Sequence, residues 1–408
     1  MKAGQLGGIV NIAGGITALY RNLNRMYSEV PYRFSKSGRT LPTWHYHLEM
    51  TRRCNLRCKM CQYIDWLETT PTKMQADGEL TTEEWLDVVD QTGRMSLITF
   101  TGGEVFVRKD FMEVFEHACS KRRVHFITNA TMLTDARAKR CVELAPKRMA
   151  GKGFFFAGIS IDGTKDVHDT IRAQKGSFEK SIAGIKALSN YRKEMGKTYP
   201  LIHINTVIQT ESLHCLPEMP RIAHDAGANV LNLLTEIRSH DLPNLGHVDP
   251  STFSRGDLKQ PTVERENLDL ALRKTMAEAN KLGIEVRLPR MPYEDVLNHY
   301  DQGYDLKQFE CRAVWVNLYI GSKGGVYPCF IYKAGNVKDN TLAEIRNNEG
   351  VRDFRNRRRD SGFAVCRGCC DIEHKEYDTN PERNGIPALE ELATAGAVSV
   401  PDDVASIK

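Results

Sequence analysis

At 408 residues the chain has room for two domains, one of them large. Its 41% hydrophobic and 26% charged content is ordinary for a globular enzyme, and a net charge of +4 is too small to argue for nucleic acid. Eleven clustered cysteines and no signal-peptide pattern fit reduced, metal-binding thiols in the cytoplasm better than a disulfide framework.

Residues 1–44 read as an amphipathic helical extension. Ala3 to Tyr20 carries no charge, but six glycines and asparagines make it too weak for a membrane span. Ile9, Ile12, Ile16, Leu19, Leu23 and Met26 recur at helical spacing. Such a stripe suits a helix docked on the main domain, and also suits contact with a membrane surface.

From residue 45 apolar strands alternate with helices. The strands are expected at 45–50, 96–100, 124–128, 154–161, 201–208 and 229–234. Helices fall between them, one headed by Asp110 with Glu113 at the capping-box position. Strands in this rhythm imply βαβ units and a parallel sheet, hence an α/β partial (β/α)6 TIM-like barrel over 45–300. Residues 238–260 read as a loop, 262–282 as a helix and 284–288 as a late strand. Beyond Cys311, strand 314–320, the turn Gly321–Gly325 and Val326–Phe330 form a hairpin within a smaller unit at 305–380. The arginine-rich run 352–359 reads as a solvated helix face. Residues 381–408 lose periodicity and are expected to be a mobile tail. Cys119, Cys141 and Cys215 fall singly in helical patterns and read as core.

The chemistry concentrates in Cys54, Cys58 and Cys61, spaced C-x₃-C-x₂-C on the loop after the first strand. Three thiolates can hold three irons of a cubane 4Fe–4S cluster and leave one corner open, whereas a structural zinc favours four ligands in paired units. The loop CNLRCKMC resembles the signature of the radical S-adenosylmethionine (SAM) enzymes, and the resemblance extends over about 45–375. It implies that Thr101, Gly102, Gly103 and Glu104 grip the SAM amine. It also carries Ser160, Asp162, Asn129 and Arg172 to the SAM ribose and carboxylate, and Met60 to the adenine. The implied chemistry is reductive cleavage of SAM to a 5′-deoxyadenosyl radical that abstracts hydrogen from a substrate, with flavodoxin or ferredoxin as reductant.

Cys311, Cys329, Cys366 and Cys369 form a second set of four soft ligands, enough to close a cluster or a zinc site. Their surroundings resemble the SPASM extension, or its shorter twitch form, and imply one auxiliary 4Fe–4S cluster. Cys370 is an alternative to Cys369 or a free thiol. The expected function is a radical SAM oxidation of a small molecule such as a sugar or aminocyclitol. Glu236, Arg238, His240 and Arg287 are candidate substrate contacts, and the catalytic acid or base is unassigned. A peptide maturase and a lipid-modifying enzyme are the alternatives within the class. A non-catalytic iron–sulfur electron carrier is the alternative outside it.

Overall fold

The β-branched and aromatic runs of the sequence become strands because one face of each buries against helices while the other faces the barrel interior. The computed structural model describes residue 23 and residues 25–236, 263–301, 303–360, 366, 369–377 and 385–387. Its strands are β1 His45–Thr51, β2 Leu97–Gly102, β3 Arg123–Thr128, β4 Gly153–Ser160, β5 Leu201–Ile208, β6 Val230–Thr235, β7 Glu285–Arg287, β8 Phe309–Glu310, β9 Asn317–Ile320, β10 Gly325–Tyr327, β11 Gly335–Asn336 and β12 Glu373–His374. The helices are α1 (25–34), α2 Ile64–Thr69, α3 Thr82–Gln91, α4 Phe111–Lys121, α5 Asp135–Glu143, α6 Lys165–Ile171, α7 Ser177–Glu194, α8 Met219–Ala226, α9 Arg265–Leu282, α10 Tyr293–Tyr300, α11 Ala313–Val316, α12 Leu342–Arg346 and α13 Glu349–Asp360.

One sheet runs in the order β11-β10-β9-β1-β2-β3-β4-β5-β6-β7, with β9 and β1 through β7 all parallel. The six expected barrel strands all form, and β7 adds a seventh. The fold is an open α/β barrel, with the carboxyl ends of the strands gathered at one mouth. Alternation along β1 and β3 shows its two faces: Tyr46, Leu48, Val124 and Phe126 are buried, while His45, His47, His125 and Ile127 are half-buried. The buried face packs on an aromatic cluster of Phe100, Phe106, Phe111, Phe115, Phe126 and Phe154, with ring centroids 4.6–6.2 Å apart.

Several elements differ from the sequence reading. Residues 313–316 form the short helix α11, because Trp315 turns inward, and the strand begins only at Asn317. The hairpin β9–β10 then pairs β9 with β1, so it continues the barrel sheet. Asp110 makes no cap hydrogen bond; its carboxylate takes Arg108 and the Thr82 hydroxyl (2.7 Å) instead. The reciprocal capping box belongs to Thr81 and Glu84 at α3. The arginine run is not a solvated face: Arg355 is 1% and Arg358 5% exposed. Arg355 donates to Val314 O (2.7 Å) and Gly38 O (3.2 Å) and lies over the Trp315 ring.

Only the end of the amino-terminal stripe is described. There α1 docks through Tyr27 and Tyr32, whose rings meet Trp44 at 5.1 Å and Trp315 at 6.2 Å. Leu23 and Met26 face outward with Val30 and Phe34, so these two members of the stripe are not on the docking face. Ile9, Ile12, Ile16 and Leu19, the loop 238–260 and nearly all of the tail lie outside the described residues. No helix among the described residues is long and apolar enough to cross a membrane.

Candidate active site

Strand β1 hands the chain directly to the loop of Cys54, Cys58 and Cys61. Donors aim at each sulfur. The Leu56 N–H points at Cys54 Sγ (3.4 Å), the Tyr63 N–H at Cys61 Sγ (3.4 Å) and Arg172 Nη1 at Cys58 Sγ (3.5 Å). Such contacts favour thiolates, the form that ligates iron. Burial works against them, pushing the Cys54 thiol up to about 12 and that of Cys61 upward, so the loop needs a cation to hold its sulfurs deprotonated. Among the described residues no three His, Cys, Asp or Glu groups gather around a single ion. A cubane spreads its thiolates over separate corners and asks for wider spacing. The donor set fits the cluster.

The Gly-Gly-Glu segment after β2 braces this loop. Gly103 N–H donates to Thr51 O (2.7 Å) and Glu104 N–H to Arg53 O (2.9 Å). A Cβ on Gly102, whose φ is +134°, would lie 2.2 Å from Thr51 O, and one on Gly103 2.3 Å from Arg53 O. Both glycines are therefore set by backbone meeting backbone. Thr101 is half-buried at the last full register step, opposite Glu49. Glu104, carried over as a grip on the SAM amine, is fully buried. Its carboxylate accepts from the Thr128 hydroxyl (2.7 Å), Asn129 N–H (2.8 Å) and Phe106 N–H (3.2 Å), tying β2 to β3. Burial raises its pKa and those three bonds pull it back.

Asn129 also turns toward the cysteine loop, donating to Asn55 Oδ1 (3.1 Å) and reaching Cys54 Sγ at 3.9 Å. Asp162 is fully buried, where it pairs with Arg172 and accepts from Val207 N–H (2.9 Å). Asp162 thus holds the guanidinium that points at Cys58, and their attraction outweighs burial to raise the Arg172 pKa. Ser160 ends β4 half-buried on the mouth side, and Met60 is half-buried in the loop. Glu49 escaped the sequence reading. It accepts from the Tyr63 hydroxyl (2.9 Å) and Arg52 Nε (2.9 Å) beside Cys61. The available signal was an acid alternating with buried Leu48 and Met50. Of the other candidates, Glu236 is buried with its N–H on the Tyr300 hydroxyl (3.0 Å), and Arg287 pairs with Glu285 at 2.6 Å. Arg238 and His240 lie outside the described residues.

The second cysteine set converges from three segments. Cys311 and Cys366 are buried, Cys329 and Cys369 half-buried, and Cys370 is exposed. Burial first, with Arg358 opposing and the charges of Asp371 and the neighbouring cysteines adding, pushes Cys311 up to about 12; burial and the neighbouring cysteines likewise raise Cys329 against the Ile331 N–H. Arg358 faces all four of these thiols. Tyr319 on β9 connects the set to the barrel. Its hydroxyl donates to Asp371 (2.5 Å) and its ring stacks on His47 at 4.3 Å.

Comparison with known proteins bears on the same elements. The Radical SAM superfamily model matches residues 48–216, and the SPASM model, an iron–sulfur cluster-binding domain, matches 311–370. The chain is 26% identical over 314 residues to the antilisterial bacteriocin subtilosin biosynthesis protein AlbA of Bacillus subtilis (strain 168), covering 74% of this chain but only 59% of AlbA. It is 27% identical over 345 residues to the AdoMet-dependent heme synthase of Methanosarcina barkeri (strain Fusaro / DSM 804), covering 79% of this chain and 89% of that protein. The crystal structure of Streptococcus suis SuiB bound to precursor peptide SuiA shares the fold, with a TM-score of 0.55 at 12% identity over 78% of this chain and 68% of that one. The matched segments begin within β1, run through the cysteine loop and the strand ends, and resume at Cys311: this chain belongs to the radical SAM superfamily, with a SAM-binding 4Fe–4S cluster and a SPASM domain for auxiliary iron–sulfur.

Proposed function

We propose that this radical SAM enzyme modifies a peptide. The single observation that carries the reading is the fold shared with SuiB, crystallised with its precursor peptide, alongside sequence similarity to AlbA, named for bacteriocin biosynthesis. The sugar or aminocyclitol favoured from sequence has no counterpart among the relatives named above. When bound, the cluster and SAM supply a hydrogen-abstracting 5′-deoxyadenosyl radical. Cys54, Cys58 and Cys61 hold the cluster, with Arg172 as counter-charge at Cys58. Glu104, Asn129 and the two glycines keep the loop and strand ends in register, and Ser160 and Met60 would contact the nucleoside of bound SAM. Cys311, Cys329, Cys366 and Cys369 hold one auxiliary cluster, which Tyr319 links to the barrel interior.

A second reading rests on the heme synthase, of which the alignment covers 89%: a heme precursor takes the peptide's place. Anaerobic incubation of the reconstituted enzyme with SAM, reductant and candidate precursor peptides tests the proposal. Formation of 5′-deoxyadenosine together with a mass change in the peptide is the expected result. Turnover with a porphyrin but with no peptide supports the second reading. Absence of 5′-deoxyadenosine under every condition returns the chain to the electron-carrier class.

A further inference from the structure

Helix α1 is amphipathic in reverse. The side it lays on the protein is polar and aromatic. The Tyr27 hydroxyl donates to Pro42 O (2.7 Å), Glu29 pairs with Arg312 (3.1 Å), and Arg359 donates to Ser35 O (2.9 Å). Tyr32 meets Trp315 edge-on and lies 5.8 Å under the Arg312 guanidinium, and Ser28 and Pro31 are buried on the same side. These contacts fix the rotation of α1 about its axis, so its other side cannot turn inward. That other side is apolar: Leu23, Met26, Val30 and Phe34 are 45% to 76% exposed. Single exposed leucines need no explanation, but four apolar residues at steps of three, four and four form one edge of a helix.

The edge continues a pattern in the sequence. Ile9, Ile12, Ile16, Leu19, Leu23, Met26 and Val30 alternate steps of three and four without a break. That is the a/d spacing of a heptad, a narrow seam of period 3.5 rather than the broad apolar face of a helix packed on a core. From Ile9 to Val30 it runs for just over three heptads, the length at which such a repeat argues for a coiled coil. Ile9, Ile16 and Val30 at a, with Leu19 and Met26 at d, lean toward two parallel strands. Gly7, Gly8, Gly14 and Gly15 fall between the seam positions. Charge distinguishes the occupants. A helix lying on a membrane surface carries Lys and Arg along its polar face. Ala3 to Tyr20 has none, and Arg33 beside the edge of α1 is paired with Glu29. A second copy of the chain brings the same uncharged seam, which is complementary to itself, as a two-fold interface requires.

We propose that the outward edge of α1 is a dimerisation seam, covered by the same edge of a second copy of this chain in a parallel pairing. Arg312, Trp315 and Arg359, which hold α1, belong to the SPASM segment, so the pairing joins two chains through the flanks of their auxiliary units. It does not depend on what the substrate is.

Analytical ultracentrifugation of the full-length, cluster-loaded protein tests this. The wild type is expected at twice the 46.2 kDa of one chain. Met26→Glu combined with Val30→Glu sets like charges against one another across the seam and is expected to halve that mass. Both side chains are exposed in the single chain, so its fold is expected to survive, with iron content and far-UV circular dichroism as the check. Mixing this variant with Met26→Lys, Val30→Lys protein is expected to restore the doubled mass, because opposite charges then face each other. Met149→Glu, at a similarly exposed methionine elsewhere, is expected to change nothing. A monomeric wild type, a dimer indifferent to the two glutamates, or a lost dimer that the lysine variant fails to restore overturns the seam. Vesicles of phosphatidylglycerol and phosphatidylcholine that bind the wild type but not the glutamate variant assign the edge to a membrane surface and overturn the pairing.

Discussion

Gly103 shows how a residue can be legible by position yet not by role. The motif marked it as a ligand contact, but its lack of a side chain lets the chain pass against Arg53 and so fixes the cysteine loop. Gly103→Ala is expected to cost the protein its SAM-binding cluster, measured as a loss of about four Fe per chain, while far-UV circular dichroism stays the same. Arg172 is similar. Its motif position suggested the SAM carboxylate, whereas it joins Cys58 and Asp162, which come from different strand ends. Arg172→Gln removes a buried cation beside a thiolate, so the reduction potential of the SAM-binding cluster is expected to move more negative in an EPR-monitored titration. Cys54, Cys58 and Cys61 were readable because their spacing is local. The partners of Glu104 were not, since Thr128 and Asn129 arrive from another strand.

At the scale of elements, periodicity located the parallel strands and missed what they pair with. Residues 317–320 read as one arm of a separate hairpin, but the ladder from His45–Asn317 to Leu48–Ile320 makes them neighbours of β1. Helix α13 read as solvated because five arginines and two aspartates lie within 352–360. Burial of Arg355 and Arg358 follows from Trp315 and the auxiliary cysteines, both distant in sequence. The auxiliary set is expected to hold one cluster of its own. Cys329→Ser should therefore reduce iron from about eight to about four per chain and leave SAM cleavage detectable, as iron analysis and 5′-deoxyadenosine chromatography would read. Loss of all iron, or no loss, contradicts this arrangement.

For the molecule as a whole, the inner face of the barrel carries histidines where an apolar layer would pack more simply. Burial drives His47 down to about 4 and His125 to about 3 from an ordinary 6.5, and His45 and His203 well below it. The unfolded chain binds more protons than the native one between the two values, so stability rises with pH across about 3 to 6.5 and is complete above it. Each such histidine contributes at most about 1.4 kcal/mol per pH unit in that window. Urea midpoints are expected to fall steeply from pH 7 to pH 5, and less so in His125→Gln; a flat profile would show that these imidazoles are solvated.

Sequence alone determined what is local or periodic: the three-thiolate loop, the second cysteine set, and the strand–helix alternation that dictates a parallel sheet. These follow from ligand spacing on one short loop and from side-chain period along one strand, both written in consecutive residues. Tertiary structure alone decided which backbone the glycines press against, which acid holds Arg172, the joining of β9 to β1, and the close approach of His125 and Asn205 to Gly158. Those depend on register between strands far apart in the chain, and register is set by the packing of the whole sheet rather than by any segment of it.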